Sequence, residues 1–139
     1  MNIVSYEGLA GSIGRWVRRG LLSHFPNANK QELVWTDTGA YYPWSEIIVI
    51  GHSFGARSAI ETAEKSGNVK LLLLLDPRMP PLGTGGFIAP KGVRTVNFYQ
   101  KGFMRGHLVD GAENHLVRSS HTGVPALKEV RELLKEYLK

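Results

Sequence analysis

The sequence predicts an α/β fold: a mostly parallel sheet of about five or six strands flanked by helices, in one domain over 1–139. Three observations carry this expectation. The runs Ile47 to Ile50 and Leu71 to Leu75 show no polar alternation, as strands buried on both faces do. Segments with apolar residues at helical spacing alternate with such runs along the chain. The composition, 42% hydrophobic and 21% charged over 139 residues, suits a single core and excludes a disordered chain.

The first strand is expected at Ile3 to Tyr6, followed by the turn Gly8-Leu9-Ala10-Gly11. Ile13, Trp16, Val17 and Leu21 then recur at helical spacing, with Ser12 as N-cap and Pro26 as stop. A short strand at Leu33 to Thr36 ends at Asp37-Thr38-Gly39, and the aromatic loop Tyr41-Tyr42-Pro43-Trp44 leads into the β-branched strand Glu46 to Ile50. The stretch from Asp37 to Ser45 is short for a parallel crossover. Phe54 to Lys65 reads as a helix whose small face, Ala56, Ala59, Ile60 and Ala63, suits close packing on a sheet, and Ser66-Gly67-Asn68 ends it. Val69 to Leu75 is the next buried strand. Pro77 to Gly92, rich in Pro and Gly and without a period, is a loop long enough to suggest function. Val93 to Tyr99 and Glu113 to Val117 are further strands. Val124 to Leu138 closes the chain as an amphipathic helix through Leu127, Val130, Leu134 and Leu138.

Composition narrows the chemistry. With no cysteine there is no disulfide framework, thiolate zinc site or cysteine nucleophile. The aliphatic runs fall far short of a membrane span, and the N-terminal segment lacks a basic start before its apolar residues, so a cytoplasmic location is expected. The net charge of +5 raises the question of nucleic acid. Its distribution argues against that partner, because Lys128, Arg131, Lys135 and Lys139 alternate with Glu129, Glu132 and Glu136 as on a solvated helix face.

In a parallel α/β sheet, functional groups gather at the carboxyl ends of the strands, here Gly8, Gly51, Asp76, Gln100 and the segment after Val117. Gly51-His52-Ser53-Phe54-Gly55 is a G-x-S-x-G sequence between a buried strand and a small-residue helix, the context in which a strained turn lifts a serine hydroxyl above the sheet. Ser53 is thus the candidate nucleophile. The alternatives are a structural turn or a phosphate loop, and neither phosphate-loop glycine pattern is present. A serine needs a base, and the base needs a carboxylate to fix its tautomer. Asp76 is preferred because its strand follows the elbow helix; Asp110 is the rival. Among the five histidines, His24 closes a surface helix, His52 is directed away from the nucleophile, and His107 lies in a Gly-flanked loop. His121, in a loop before the last helix, is preferred over His115. The histidine spacings match no metal-binding signature, so no metal is expected. An oxyanion would need the Phe54 amide and one amide from the loop after the first strand, Leu9 first and Ala10 second.

The order Ser53, Asp76, His121, the elbow Gly-His-Ser-Phe-Gly and the Gly-Leu-Ala-Gly loop resemble the α/β-hydrolase superfamily. The acid at Leu74-Leu75-Asp76-Pro77 is placed as in pancreatic-type lipases. The tail from Asn97-Phe98-Tyr99-Gln100 through Asn114 to His121-Thr122-Gly123-Val124-Pro125 is similar to small lipase-like proteins of bacteria and their phages. The resemblance implies a serine esterase without cofactor, cleaving an ester, thioester or amide through an acyl-serine. The chain has about half the length usual for that fold, so a minimal form of it is expected, without its first two strands and with no cap domain. The substrate expected is a small acyl ester or an acyl group on a larger, acidic partner, in a shallow groove roofed by Pro80 to Lys91 and the Tyr41 to Trp44 loop. Two further readings stand beside this one: an inactive binding protein that kept the fold, and an acyltransferase using the same site.

Overall fold

The computed structural model describes residues 2–9, 11–37, 39, 46–79 and 86–138. Ser12 as a side-chain cap, Ala10, the Tyr41 to Trp44 loop and residues 80–85 of the long loop lie outside that description. Along the chain run β1 (Asn2–Glu7), α1 (Gly11–Leu22), β2 (Asn29–Val34), β3 (Ile47–His52), a 3-10 turn (Ser53–Gly55), α2 (Ala56–Lys65) and β4 (Val69–Leu75). Then follow β5 (Phe87–Ile88), β6 (Thr95–Tyr99), β7 (Val109–Asp110), β8 (Glu113–Leu116), a second 3-10 turn (Val124–Ala126) and α3 (Lys128–Tyr137). Six strands form one sheet in the order β2-β1-β3-β4-β6-β8, and every neighbouring pair is parallel. β5 and β7 pair separately, also in parallel. This is the α/β architecture expected, with no separate cap domain among the described residues.

β3 and β4 are central because their side chains are apolar on both faces. Alternation sends Ile48, Ile50, Leu71, Leu73 and Leu75 to one side, where they meet Leu21, Leu22, Val130 and Leu134 of α1 and α3. Ile47, Val49, Leu72 and Leu74 face the other side against Ala56, Ala59 and Ala63 of α2. The small face of α2 brings its backbone close to the sheet, which seats the turn before it.

Three expected elements are placed differently. In α1 the buried positions are Gly14, Val17, Leu21 and Leu22, while Ile13 and Trp16 are 60% and 74% exposed. Helical spacing admits two adjacent stripes here, and close packing selects the one with Gly14, where an added Cβ would lie 2.0 Å from the Leu9 carbonyl oxygen. That rotation also turns Arg18 inward. Its guanidinium donates to the carbonyls of Ser5 and Leu33 and pairs with Glu32 at 3.3 Å, so it braces the sheet edge.

β2 spans Asn29–Val34 instead of Leu33 to Thr36. It is an edge strand of mostly polar, exposed residues, so apolar patterning could not mark it; its register against β1, Asn2↔Asn29 through Glu7↔Val34, does. The earlier end of β2 lengthens the connection to β3, which crosses β1 with the Trp35 and Asp37 carbonyls accepting from Ser58 Oγ of α2 at 3.1 and 2.8 Å. The terminal helix is broken at Leu127, whose ψ of 144° is extended. The break lets Val124 and Pro125 be buried ahead of α3 while Val130 and Leu134 continue its inner face. The loop after Pro77 is tied down in part, since β5 lies within it.

Candidate active site

β3 ends where α2 must begin, and the chain makes the corner with Ser53 at φ 57°, a left-handed conformation that costs a non-glycine residue of order 1–3 kcal/mol. The flanking glycines make the corner possible. A Cβ on Gly51 would lie 2.7 Å from the Ala59 Cβ, and one on Gly55 would lie 2.3 Å from the Tyr6 carbonyl oxygen. Any side chain at either place would push α2 off the sheet. The first amides of such a turn have no partner within it, and Phe54 N–H is among them. Gly8 packs against this amide so tightly that a Cβ there would stand 2.2 Å from the Phe54 nitrogen.

Ser53 is fully buried, with its Oγ 2.8 Å from Nε2 of His121. His121 Nδ1 lies 2.6 Å from Asp76 Oδ2. Asp76 follows β4 and is itself left-handed, at φ 48°, which turns its carboxylate along the sheet edge toward the segment after β8. That carboxylate is wholly buried and would be costly without donors. It has them: Gln100 gives its backbone N–H to Oδ1 at 3.0 Å and its side-chain Nε2 to Oδ2 at 2.8 Å. Gly106 lies over the same group, and a Cβ there would fall 2.1 Å from Asp76 Oδ1.

Ser53, Asp76 and His121 thus come together from three strand ends. The rivals do not join them. Asp110 is exposed on β7, and its carbonyl accepts from Ala89 N–H at 2.8 Å. His115 is exposed on β8, stacked on Phe98 with centroids 5.2 Å apart. His107 contacts the Phe87 ring at 6.0 Å, and His24 is exposed. The pleat explains His115: on a strand exposed along its length, no side chain reaches over the carboxyl edge, whereas a residue past the strand end does.

Two expectations need correction. Leu9 N–H donates to Glu7 Oε1 at 2.9 Å, and an amide bound to a carboxylate is not free for an oxyanion, so Phe54 stands alone of the expected pair. Ser53, expected to meet its substrate in a shallow groove, is fully buried. Gln100 carries more than its marking as a strand end suggested, and its side-chain bond to Asp76 left no trace in the sequence pattern. His52 does point away from the Ser53 hydroxyl, but toward Glu7 and the backbone of His121.

Among the described residues, several cavities line this end of the molecule. One of about 350 Å³ is bounded by Trp35, Phe54, Arg57 and Glu61. Another, about 510 Å³, is bounded by Tyr99, Lys101, Arg105, Gly106 and His107, on the Asp76 side. The family model of platelet-activating factor acetylhydrolase, isoform II, matches residues 31–90. That segment resembles an ester-bond hydrolase. It contains β3, the Ser53 corner, α2, β4 and Asp76, and stops short of Gln100 and His121, so the similarity covers less than half of the chain. No curated protein and no solved structure matches the chain significantly. No helix among the described residues is long and apolar enough to cross a membrane.

Proposed function

We propose that the protein is a serine hydrolase that cleaves an ester or thioester through an acyl-serine intermediate, with Ser53 as nucleophile, His121 as base and Asp76 as the group that orients the base. The continuous line Ser53 Oγ, His121 Nε2, His121 Nδ1, Asp76 Oδ2, at 2.8 and 2.6 Å, is the observation that carries this reading. An Nδ1–H donating to Asp76 leaves the lone pair on Nε2, where the Ser53 proton must go. Ser53 Oγ attacks the acyl carbon as its proton passes to Nε2, and Phe54 N–H stabilises the oxyanion that forms. The bond to the leaving group then breaks as Nε2 returns the proton to the departing oxygen or sulfur. Water, deprotonated by the same nitrogen, cleaves the acyl-serine and restores the starting state.

The acyl group we favour is short. The buried hydroxyl and the modest cavities offer little surface to a long chain, whose burial would otherwise add about 0.8 kcal/mol per CH₂. The matched family is named for an acetylhydrolase, consistent with that preference. Lys101 and Arg105 on the Asp76 side favour an acidic leaving group or an acidic carrier of the acyl group.

A fluorophosphonate probe with mass mapping tests the proposal, alongside turnover of nitrophenyl esters from acetyl to long-chain acyl. The expected result is a single adduct on Ser53, loss of turnover by at least ~10³-fold in Ser53→Ala with its melting temperature retained, and no rise with chain length. A folded Ser53→Ala protein with full turnover would overturn the mechanism, and a steep rise with chain length would overturn the short-acyl preference.

A further inference from the structure

Glu7 and His52 are each 3% exposed, and the proposed reaction leaves both without a role. They are the last residues of β1 and β3 and stand opposite each other in the parallel register. Burying a carboxyl and an imidazole in the middle of a sheet is costly unless every polar atom is met. The contacts are specific. Glu7 Oε1 lies 2.7 Å from His52 Nδ1 and also accepts the Leu9 N–H. His52 Nε2 lies 3.1 Å from the backbone carbonyl oxygen of His121, and the two imidazoles stack with centroids 5.0 Å apart and planes 28° from parallel.

Hydrogen-bond logic assigns the protons. A carbonyl only accepts, so His52 Nε2 carries a hydrogen. The contact between Nδ1 and Oε1 holds one proton between two groups that could each accept it. The imidazole of His52 is therefore held at both ends and cannot turn without breaking one bond. Its far end grips the main chain of His121, a residue whose ring is aligned by Asp76 and Ser53 but whose backbone follows β8, a strand exposed at all four positions.

We infer that Glu7 and His52 form a positioning pair that carries the rigidity of the sheet centre to the main chain of His121, holding Nε2 within reach of Ser53. This deepens the serine-hydrolase reading and rests on it. Neither residue touches the reacting atoms. Their effect is on the placement of the base, where a displacement of about 1 Å costs on the order of 10²-fold in rate.

The two ends of His52 can be separated by substitution. Asparagine reproduces the Nδ1 end, toward Glu7; glutamine reproduces the Nε2 end, toward the His121 carbonyl. With a short-acyl nitrophenyl ester, His52→Asn is expected to lower kcat on the order of 10²-fold with KM little changed, and His52→Gln to recover about tenfold of that loss. A purely structural role would instead make kcat follow the melting temperature in both. Should His52→Asn not fold, Glu7→Gln and Glu7→Met serve. At the place of Oε1 Gln can still hold one of the two partners, donating to His52 Nδ1 with its amide N–H or accepting from Leu9 N–H with its oxygen, whereas Met holds neither, so Gln is expected to turn over at least about tenfold faster than Met. Folded variants of either pair with equal kcat would overturn the positioning role. Ser53→Ala, measured in parallel, separates the two failures: if it is inactive while His52→Asn is unimpaired, the positioning inference alone falls, and if it is active, the hydrolase reading falls.

Discussion

Ser53 and Asp76 stand at the ends of strands buried from both sides, whereas His121 stands behind a strand that solvent reaches along its whole length. The centre of the sheet places its functional groups by packing. Ile47 to Ile50 and Leu71 to Leu75 are locked between two helical layers, so the chain ends of β3 and β4 have nowhere else to go. The β8 edge has no such wall; Val117 and Val124 pack on the core on either side of the segment after it, and between them His121 is placed by polar contacts, Asp76 and Ser53 on its ring and His52 on its carbonyl. One site is thus held by two kinds of force, with different sensitivities to substitution, salt and pH.

The largest effect should come from the centre. Leu73→Ala removes a fully buried side chain between α1, α3 and the neighbouring strands Ile50 and Val96, and should cost about 2–5 kcal/mol of unfolding free energy in a urea titration. A smaller loss would mean that the layers collapse around the gap and that the centre is softer than its burial implies.

A middle effect is expected between the two regions. Gln100→Leu keeps the volume and the backbone donor to Asp76 Oδ1 but removes the side-chain donor to Oδ2, leaving that buried oxygen to His121 alone. The expected cost is about 1–3 kcal/mol, with kcat falling together with the melting temperature. Unchanged stability with lowered kcat would show that Gln100 matters for aligning Asp76 rather than for satisfying it.

The smallest effect belongs to the edge. Arg94, just before β6, makes two bonds to Glu113 of β8, at 2.8 and 3.2 Å, and one to the Tyr137 hydroxyl of α3 at 2.7 Å. All are exposed, so Arg94→Met should cost no more than about 1 kcal/mol, and less in high salt. The Arg94 guanidinium holds the Glu113 carboxyl below its ordinary value. A depressed carboxyl stabilises the fold above the unfolded pKa of about 4.3, and that contribution disappears as pH falls through the folded value. The stability gap between the native protein and Arg94→Met should therefore be full at pH 7 and close below about pH 4. A gap that persists in acid would reassign the contribution to packing of the Arg94 stem on Tyr137.

The buried strands, the Ser53 corner and the small face of α2 were legible because each depends on local rules. A run of β-branched and aliphatic residues without alternation can satisfy itself only inside a sheet, and glycines on both sides of a serine are what a left-handed corner against a helix requires. Asp76 followed from chain order, since a parallel strand after the elbow helix must return to the same edge. The pattern failed where burial was ambiguous or absent. β2 is polar because it is an edge, and α1 offered two apolar stripes of similar quality. Its choice between them was made by Gly14, whose missing side chain lets the helix close on the Leu9 carbonyl.

By itself, then, the sequence determined the class of the fold, the Ser53 corner and the strand ends at which Ser53 and Asp76 stand, because hydrophobic periodicity and turn stereochemistry act over a few residues. Tertiary structure alone decided which polar groups meet across the sheet: that Glu7 reaches His52, that Gln100 satisfies Asp76, and that His52 reaches the main chain of His121. Such pairings join residues 24 to 69 positions apart and depend on strand register and on the few ångströms within which a hydrogen bond forms. No local pattern encodes that distance. It is set when β1, β3, β4 and β6 align and bring their carboxyl ends to one edge.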